Sequence, residues 1–165
     1  MYKRQVLNFA GTVRLGWINI SVASLPVIVG AMLYGPVGGL LVGLLGAFMG
    51  QLLTYGVTAT TILWILPQAA RGLLVGVYAK HCGYKFSSGQ LTLALIGTAL
   101  VVTALNTGAM YIDSVIYNYY SYAYVFGGLV VRIISGAATA VLMVFVAPPV
   151  VNLLNRSLDT VRTAQ

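Results

Sequence analysis

Acidic side chains are scarce in this chain of 165 residues, which holds only Asp113 and Asp159 against nine lysines and arginines. Cysteine and histidine occur once each, as Cys82 and His81. An intramolecular disulfide is excluded, and this inventory argues against a metal site or an acid–base hydrolase. The sequence also lacks the G-x-x-x-x-G-K-S/T phosphate loop of ATPases. We therefore expect a protein that is not an enzyme and has no catalytic residue, metal or cofactor.

Charge is rare and apolar residues are abundant. Charged residues make up 7% of the chain and apolar residues 59%, with 19 glycines and a mean hydropathy of +0.93. This composition is typical of a helical membrane protein, and the length allows about five or six spans of about 20 residues. The net charge of +7 comes from basic residues at segment ends, which indicates membrane flanks rather than a nucleic-acid partner.

The hydrophobic segments predict an all-α polytopic membrane protein with five transmembrane helices. The segments cover about 18–34, 37–54, 61–79, 90–110 and 123–147. Turn signals at Gly35-Pro36 and Pro148-Pro149 end the first and the last of them. We expect residues 18–155 to form a single transmembrane domain.

The basic residues also predict an orientation. Lys80, His81 and Lys85 share one loop, while the links 55–60 and 111–122 hold no lysine or arginine. The positive-inside rule then places that loop and the tail 156–165 in the cytoplasm. Counting back through five spans leaves the N-terminus outside, so we expect one upstream helix to be missing from a six-helix protein.

The first five residues form a separate case. The string Met1–Gln5 is what the end of a transposon sequencing adapter would encode, and we interpret residues 1–5 as a non-native leader. An ordinary basic leader is the alternative. The adapter interpretation agrees with the odd span count, because both predict that the chain is truncated at its N-terminus.

Small residues recur at helical spacing. In membranes such patterns allow close approach of helix backbones, either inside a bundle or against a partner subunit. Both interpretations remain open here for the glycines at spacings of three and four residues, namely Gly39, Gly43, Gly46, Gly50, Gly72 and Gly76.

Three stretches resemble a known family. Leu25–Gly39 (LPVIVGAMLYGPVGG), continued by LLVGLLGAFMG, resembles the second and third helices of the S components of energy-coupling factor (ECF) vitamin transporters. Leu66–Gly76 (LPQAARGLLVG) resembles their fourth helix. Asn106-Thr107 falls where folate-type members carry an Asn-Thr pair, although the residues that follow, Gly108–Met110, depart from that pattern. The resemblance covers about 14–155.

The resemblance implies a function as well as a fold. S components capture a water-soluble vitamin outside a prokaryotic cell membrane, and a transmembrane coupling subunit and two ATP-binding subunits drive its uptake. Residues 6–17 would be the end of the missing first helix and the outer loop. Because the family docks to its coupling subunit through that helix, the docking residues cannot be assigned here. A folate-like or pantothenate-like substrate is implied.

We expect the substrate site in the outer half of the bundle. An arginine at membrane depth costs about 2.5–3.5 kcal/mol on insertion scales and usually faces a bundle interior or a watery cavity. Aromatic rings can stack on a flat heterocycle, and arginine can hold a carboxylate through two hydrogen bonds. The predicted substrate-binding residues are Trp17, Asn19, Tyr55, Trp64, Gln68, Arg71, Asn106, Asp113, Tyr117 and Arg132.

Several of these residues have alternative interpretations. The tyrosines of 117–124 are also typical of an interfacial aromatic belt. Arg132 could pair internally with Asp113, Arg71 could belong to a polar network or contact the coupling subunit, and Asn106 could bond a neighbouring helix. If the arginines only hold the bundle together, the chain is a membrane scaffold or assembly protein, which is the alternative function.

Overall fold

The computed structural model describes residues 12–15, 18–21, 24–84 and 88–163. Helices dominate this part of the chain, and a short hairpin precedes them. The elements are β1 (Thr12–Leu15), β2 (Ile18–Ser21), α1 (Ser24–Thr54), α2 (Thr61–His81), α3 (Ser88–Ile116), α4 (Tyr122–Phe126) and α5 (Leu129–Thr163).

The hairpin corrects the predicted start of the first helix. Strands β1 and β2 pair antiparallel, with Thr12 opposite Ser21 and Leu15 opposite Ile18, and β2 packs against α5. The helix predicted from about residue 18 therefore begins at Ser24. The reason lies in the sequences TVRL and INIS, in which polar and apolar residues alternate with the period of a strand.

Helix α1 reverses direction at Gly35. This glycine has φ 73° and ψ −157°, a conformation that residues with a Cβ rarely adopt, and Pro36 begins the next helical stretch. The two arms pack on each other: a Cβ built on Gly30 would lie 3.0 Å from Cγ2 of Val42. Twelve residues of straight helix would separate those positions by about 18 Å. The turn predicted at Gly35-Pro36 is thus present as a sharp reversal.

In the part of the chain that the structure describes, four helical segments are long and apolar enough to cross a membrane. They cover Ser24–Thr54, Thr61–His81, Gly89–Ile116 and Tyr122–Leu154. The first arm of α1 ends at Tyr34 and is about 16 Å long at 1.5 Å per residue, shorter than the bilayer core of about 30 Å. The predicted count of five transmembrane helices is therefore not confirmed, while the multi-pass helical architecture stands.

Helices α1 and α2 meet along a seam without side chains between them. A Cβ on Gly72 would overlap the carbonyl oxygen of Gly39, and one on Gly43 would lie 2.5 Å from that of Gln68. A Cβ on Gly76 would lie 2.5 Å from Cα of Pro36. The second arm of α1 and α2 therefore run antiparallel with their backbones in contact.

Other glycines and the core complete the arrangement. Gly46 and Gly50 lie further along α1, and a Cβ added to either would have no atom within 4 Å, so that part of the helix is open. The buried core joins the first arm of α1 to α2, α3 and α5 through Ile28, Met32, Val75, Leu91, Leu95 and Met143. Beyond this core two cavities open, one where the α1–α2 link meets the α3–α4 link and one between α2, α3 and α5.

Candidate functional site

The larger cavity lies where the α1–α2 link meets the α3–α4 link. Its volume is about 340 Å³. Tyr55, Trp64, Asp113 and Tyr117, all predicted as site residues, line it together. The complete lining of this aromatic cavity is Gln51, Tyr55, Thr58, Thr60, Trp64, Asp113, Tyr117, Tyr119 and Tyr124.

Asp113 is the charged group of the aromatic cavity. Its side chain is 8% exposed and accepts three hydrogen bonds. Thr60 Oγ1 and Trp64 Nε1 donate to Oδ1 over 2.5 Å and 3.5 Å, and the Tyr119 hydroxyl donates to Oδ2. The carboxylate thereby joins the α1–α2 link, α2 and the α3–α4 link, which holds the cavity walls together.

Local structure positions these donors. The backbone N–H of Thr58 donates to Oγ1 of Thr61 over 2.7 Å, which fixes the turn that presents Thr60 just before α2. Tyr119 packs edge-to-face on Tyr124 with ring centroids 5.4 Å apart. The hydrogen bond to Asp113 raises the pKa of the Tyr119 hydroxyl, so this tyrosine remains a proton donor at neutral pH.

A second cavity, the arginine cavity, lies between α2, α3 and α5. Its volume is about 180 Å³, and it brings together the predicted residues Arg71, Asn106 and Arg132. Hydroxyl and apolar side chains complete the lining, namely Val102, Thr103, Val131, Ser135, Gly136 and Thr139.

Arg132 bonds mainly to backbone carbonyls just before its own helix, in α4 and in the α4–α5 link. Its guanidinium donates to the carbonyl oxygens of Val125 and, from Nε over 3.4 Å, of Gly128. Nη1 lies 2.8 Å from Sδ of Met110 and 3.5 Å from Oγ1 of Thr107. Within the described residues Arg132 and Asp113 form no ion pair, so the internal pair considered from the sequence is not what the structure shows.

Arg71 is less well satisfied. Its Nη1 is buried and has no hydrogen-bond partner in the part of the chain that the structure describes, and the same holds for Oε1 of Gln68. Unpaired donors on a buried charged group are costly, so such an atom marks a place where a ligand can add a partner.

The comparisons with known proteins agree with this architecture. A family model described as "ECF transporter, substrate-specific component" matches residues 5–151. The chain belongs to this family. S components are subunits of membrane transporter complexes and are not enzymes, and membership together with the apolar helices indicates a multi-pass protein of the bacterial membrane.

One curated relative of this S component is a UPF0397 protein from Leuconostoc citreum (strain KM20). The two are 39% identical over 75 residues, a stretch that covers 46% of this chain. The match spans only 37% of the relative's length, well under half of that protein.

Seven of the ten predicted site residues of this S component fall into two groups. Four line the aromatic cavity and three line the arginine cavity. Gln68 lies in α2 at the glycine seam and is not part of either lining. Asn19 lies in β2 opposite Arg14, whereas the Trp17 prediction lies outside the described residues.

Sequence reasoning missed some lining residues. Gln51 and Thr60 were not among the predicted substrate-binding residues, yet both line the aromatic cavity. Gln51 carried a signal, since it is a polar residue one helical turn before Tyr55 in an otherwise apolar helix. Thr60 carried none, because its role depends on Asp113, 53 residues further along the chain.

Proposed function

We propose that this S component captures a water-soluble vitamin or a related small molecule outside the cell for uptake. A transmembrane coupling subunit and two ATP-binding subunits would supply the energy. The observation that carries the proposal is the aromatic cavity with the Asp113 carboxylate in its wall. Folate-like and pantothenate-like vitamins are the first compounds to test.

The cavity has the properties of a small-molecule site. Its volume of about 340 Å³ lies within the range of about 300–1,000 Å³ that is usual for ligand pockets. Tyr55, Trp64 and Tyr117 offer ring faces for a flat heterocycle. A carboxylate has about four lone-pair sites, two on each oxygen. Thr60 and Trp64 occupy both sites on Oδ1 of Asp113, and Tyr119 occupies one on Oδ2. One acceptor site on Oδ2 therefore remains for an N–H or O–H of the ligand.

The proposed orientation follows from the two ends of α2. Thr61, at the start of α2, adjoins the cavity, whereas Lys80 and His81 lie in its last turn. A helix of 21 residues is about 30 Å long, the thickness of the bilayer core. With the basic end in the cytoplasm, as the positive-inside rule requires, the aromatic cavity would open to the outside and the C-terminus would be cytoplasmic.

Ligand-induced thermal stabilisation tests the proposal. The purified full chain would be heated with each member of a vitamin panel. A ligand at 100 times its dissociation constant stabilises the native state by about 2.7 kcal/mol, a clear shift in melting temperature. We expect one compound to give such a shift and Asp113→Asn to abolish it. Asp159→Asn, which removes the other acidic charge of the chain, serves as the matched control.

Two results would contradict the proposal. A shift that Asp113→Asn retains would move the ligand away from the aromatic cavity. A folded protein that no vitamin stabilises would favour the alternative of a non-transport membrane scaffold, for which the bonds of Arg132 to the backbone carbonyls of Val125 and Gly128 are the supporting observation.

A further inference from the structure

Two cationic side chains line the arginine cavity, and no carboxylate does among the residues that the structure describes. Arg71 reaches it from α2 and Arg132 from α5. We propose that this cavity binds an anionic group, a carboxylate or a phosphate, between Arg71 and Arg132. The proposal is separate from the aromatic cavity and rests on the proposed function only for the identity of the solute that would carry the anion.

Among the described side chains, Asp113 is the acid, and it does not pair with either arginine. Asp113 is held by Thr60, Trp64 and Tyr119 at the aromatic cavity. Asp159, the other acid, follows Arg132 on α5 by about seven helical turns. Two guanidinium groups at one low-dielectric cavity repel each other, and an anion between them removes that repulsion.

Hydrogen-bond donors remain available at the cavity. Nη1 of Arg71 is buried and unpartnered among the described residues, and Nη1 of Arg132 donates to the sulfur of Met110, a weak acceptor, and over 3.5 Å to the Thr107 hydroxyl. The Thr103 and Thr139 hydroxyls donate to the backbone carbonyls one turn earlier on their helices. The arginines are therefore the groups with bonding capacity to spare, and guanidinium pairs well with carboxylate and phosphate.

The space suits such a group. A volume of about 180 Å³ is about six times the share of one water molecule in the liquid, which is enough for a carboxylate or a phosphate with part of its carrier. Asn106 at this cavity and Asp113 at the aromatic cavity are seven residues apart on α3, about 10 Å. Because Arg132 lines the same cavity as Asn106, a vitamin with its ring at Asp113 and an anionic arm at Arg132 would have to reach from one cavity to the other, about the same distance.

Simple anions provide the first test. The purified full chain would be melted in increasing sodium phosphate and, separately, in sodium benzoate, at constant ionic strength. We expect a saturable rise in melting temperature that Arg71→Gln and Arg132→Gln reduce by more than half. Lys80→Gln, which removes a positive charge at the far end of α2, should keep the full rise. Equal responses of wild type and both glutamine variants to both anions would overturn the proposal.

A second measurement uses wild-type protein alone, so it does not depend on whether the variants fold. Phenylglyoxal modifies arginine side chains, and mass spectrometry of wild-type peptides reports each position. We expect phosphate or benzoate to slow modification of Arg71 and Arg132 several-fold without changing that of Arg156. Unchanged rates at Arg71 and Arg132 would contradict the proposal independently of any substitution.

Two further experiments distinguish a lipid headgroup from a solute as the source of the anion. If a lipid headgroup fills the cavity, nanodiscs of phosphatidylglycerol will stabilise wild type more than nanodiscs of phosphatidylcholine, and Arg71→Lys will keep that difference while Arg71→Gln loses it. If the solute brings the anion, pantothenate will stabilise the protein more than panthenol, and nicotinate more than nicotinamide. Failure of the vitamin panel would count against the proposed function only, because the phosphate and benzoate results stand without it.

Discussion

The glycine seam between α1 and α2 and the cavity side of this S component, where the aromatic and arginine cavities lie, are built in opposite ways. Along the α1–α2 seam, glycine backbones touch, and a single added methyl group would overlap a carbonyl oxygen. The aromatic cavity of about 340 Å³ lies where the α1–α2 link meets the α3–α4 link, and the arginine cavity of about 180 Å³ lies between α2, α3 and α5. Polar and charged side chains line both cavities.

The seam and the cavities have different structural requirements, although both belong to one small bundle. A close helix contact in lipid gains its stability from van der Waals packing and needs no polar side chain. A binding cavity needs the reverse, with polar groups held at a distance that a ligand can bridge. The predictions below test whether the two sides respond differently to the same kind of change.

The largest effect is expected for Gly72→Ala. The new Cβ would overlap the carbonyl oxygen of Gly39, so α1 and α2 must separate. Overpacking of this kind costs about 1–3 kcal/mol, and we expect the upper end because backbone meets backbone. Thermal unfolding in detergent measures it. Gly50→Ala, with no atom within 4 Å, is the control and should be neutral or stabilising; equal stabilities would mean that the seam is not tightly packed.

An intermediate effect is expected for Asp113→Ala at the aromatic cavity. The change leaves the donors of Thr60 and Trp64 without their acceptor, and a buried unsatisfied donor costs about 1–3 kcal/mol. Tyr119→Phe removes only one bond of a half-exposed side chain and should cost about 1 kcal/mol. Melting temperatures of the two variants should differ in this order, and the reverse order would show that Asp113 is not the centre of the network.

The smallest effect is expected for Gly136→Ala on α5. Its Cβ would meet Oγ1 of Thr103 at 3.5 Å and Cβ of Ala99 at 3.7 Å, which are ordinary contacts. Alanine also favours a helix over glycine by about 1 kcal/mol, so we expect unchanged or slightly raised stability. Comparison with Gly72→Ala then measures the contrast between the two sides directly. A loss as large as that of Gly72→Ala would mean that α3 and α5 pack as closely as α1 and α2.

The helical part of the fold could be predicted because it depends on local signals. Long apolar runs placed α2, α3 and α5, and the Gly35-Pro36 pair predicted the reversal that the structure shows at φ 73°. The hairpin at Thr12–Ser21 was missed, since an apolar composition outweighed the two-residue alternation of TVRL and INIS. The count of five spans is not confirmed for a related reason, because hydropathy does not show that the first arm of α1 is only half a membrane long.

The types of residue in the candidate site could be predicted from the sequence, but their contacts with one another could not. Composition alone singled out Arg71 and Arg132 as charges that need a reason at membrane depth. Whether Arg132 pairs with Asp113 depends on the rotation of α3 and α5 about their axes, which one sequence does not encode in any local pattern. The structure separates them, with Asp113 bonded to Thr60 and Arg132 bonded to Val125.

Trp64 gives the aromatic cavity a spectroscopic consequence. Its indole N–H points at the Asp113 carboxylate, and the chain has only one other tryptophan, Trp17. Indole emission shifts in colour with the polarity and the hydrogen bonding around the ring. If a solute binds there as proposed, and displaces water or competes for the carboxylate, the fluorescence of the native protein would change and would report occupancy of the cavity without a label.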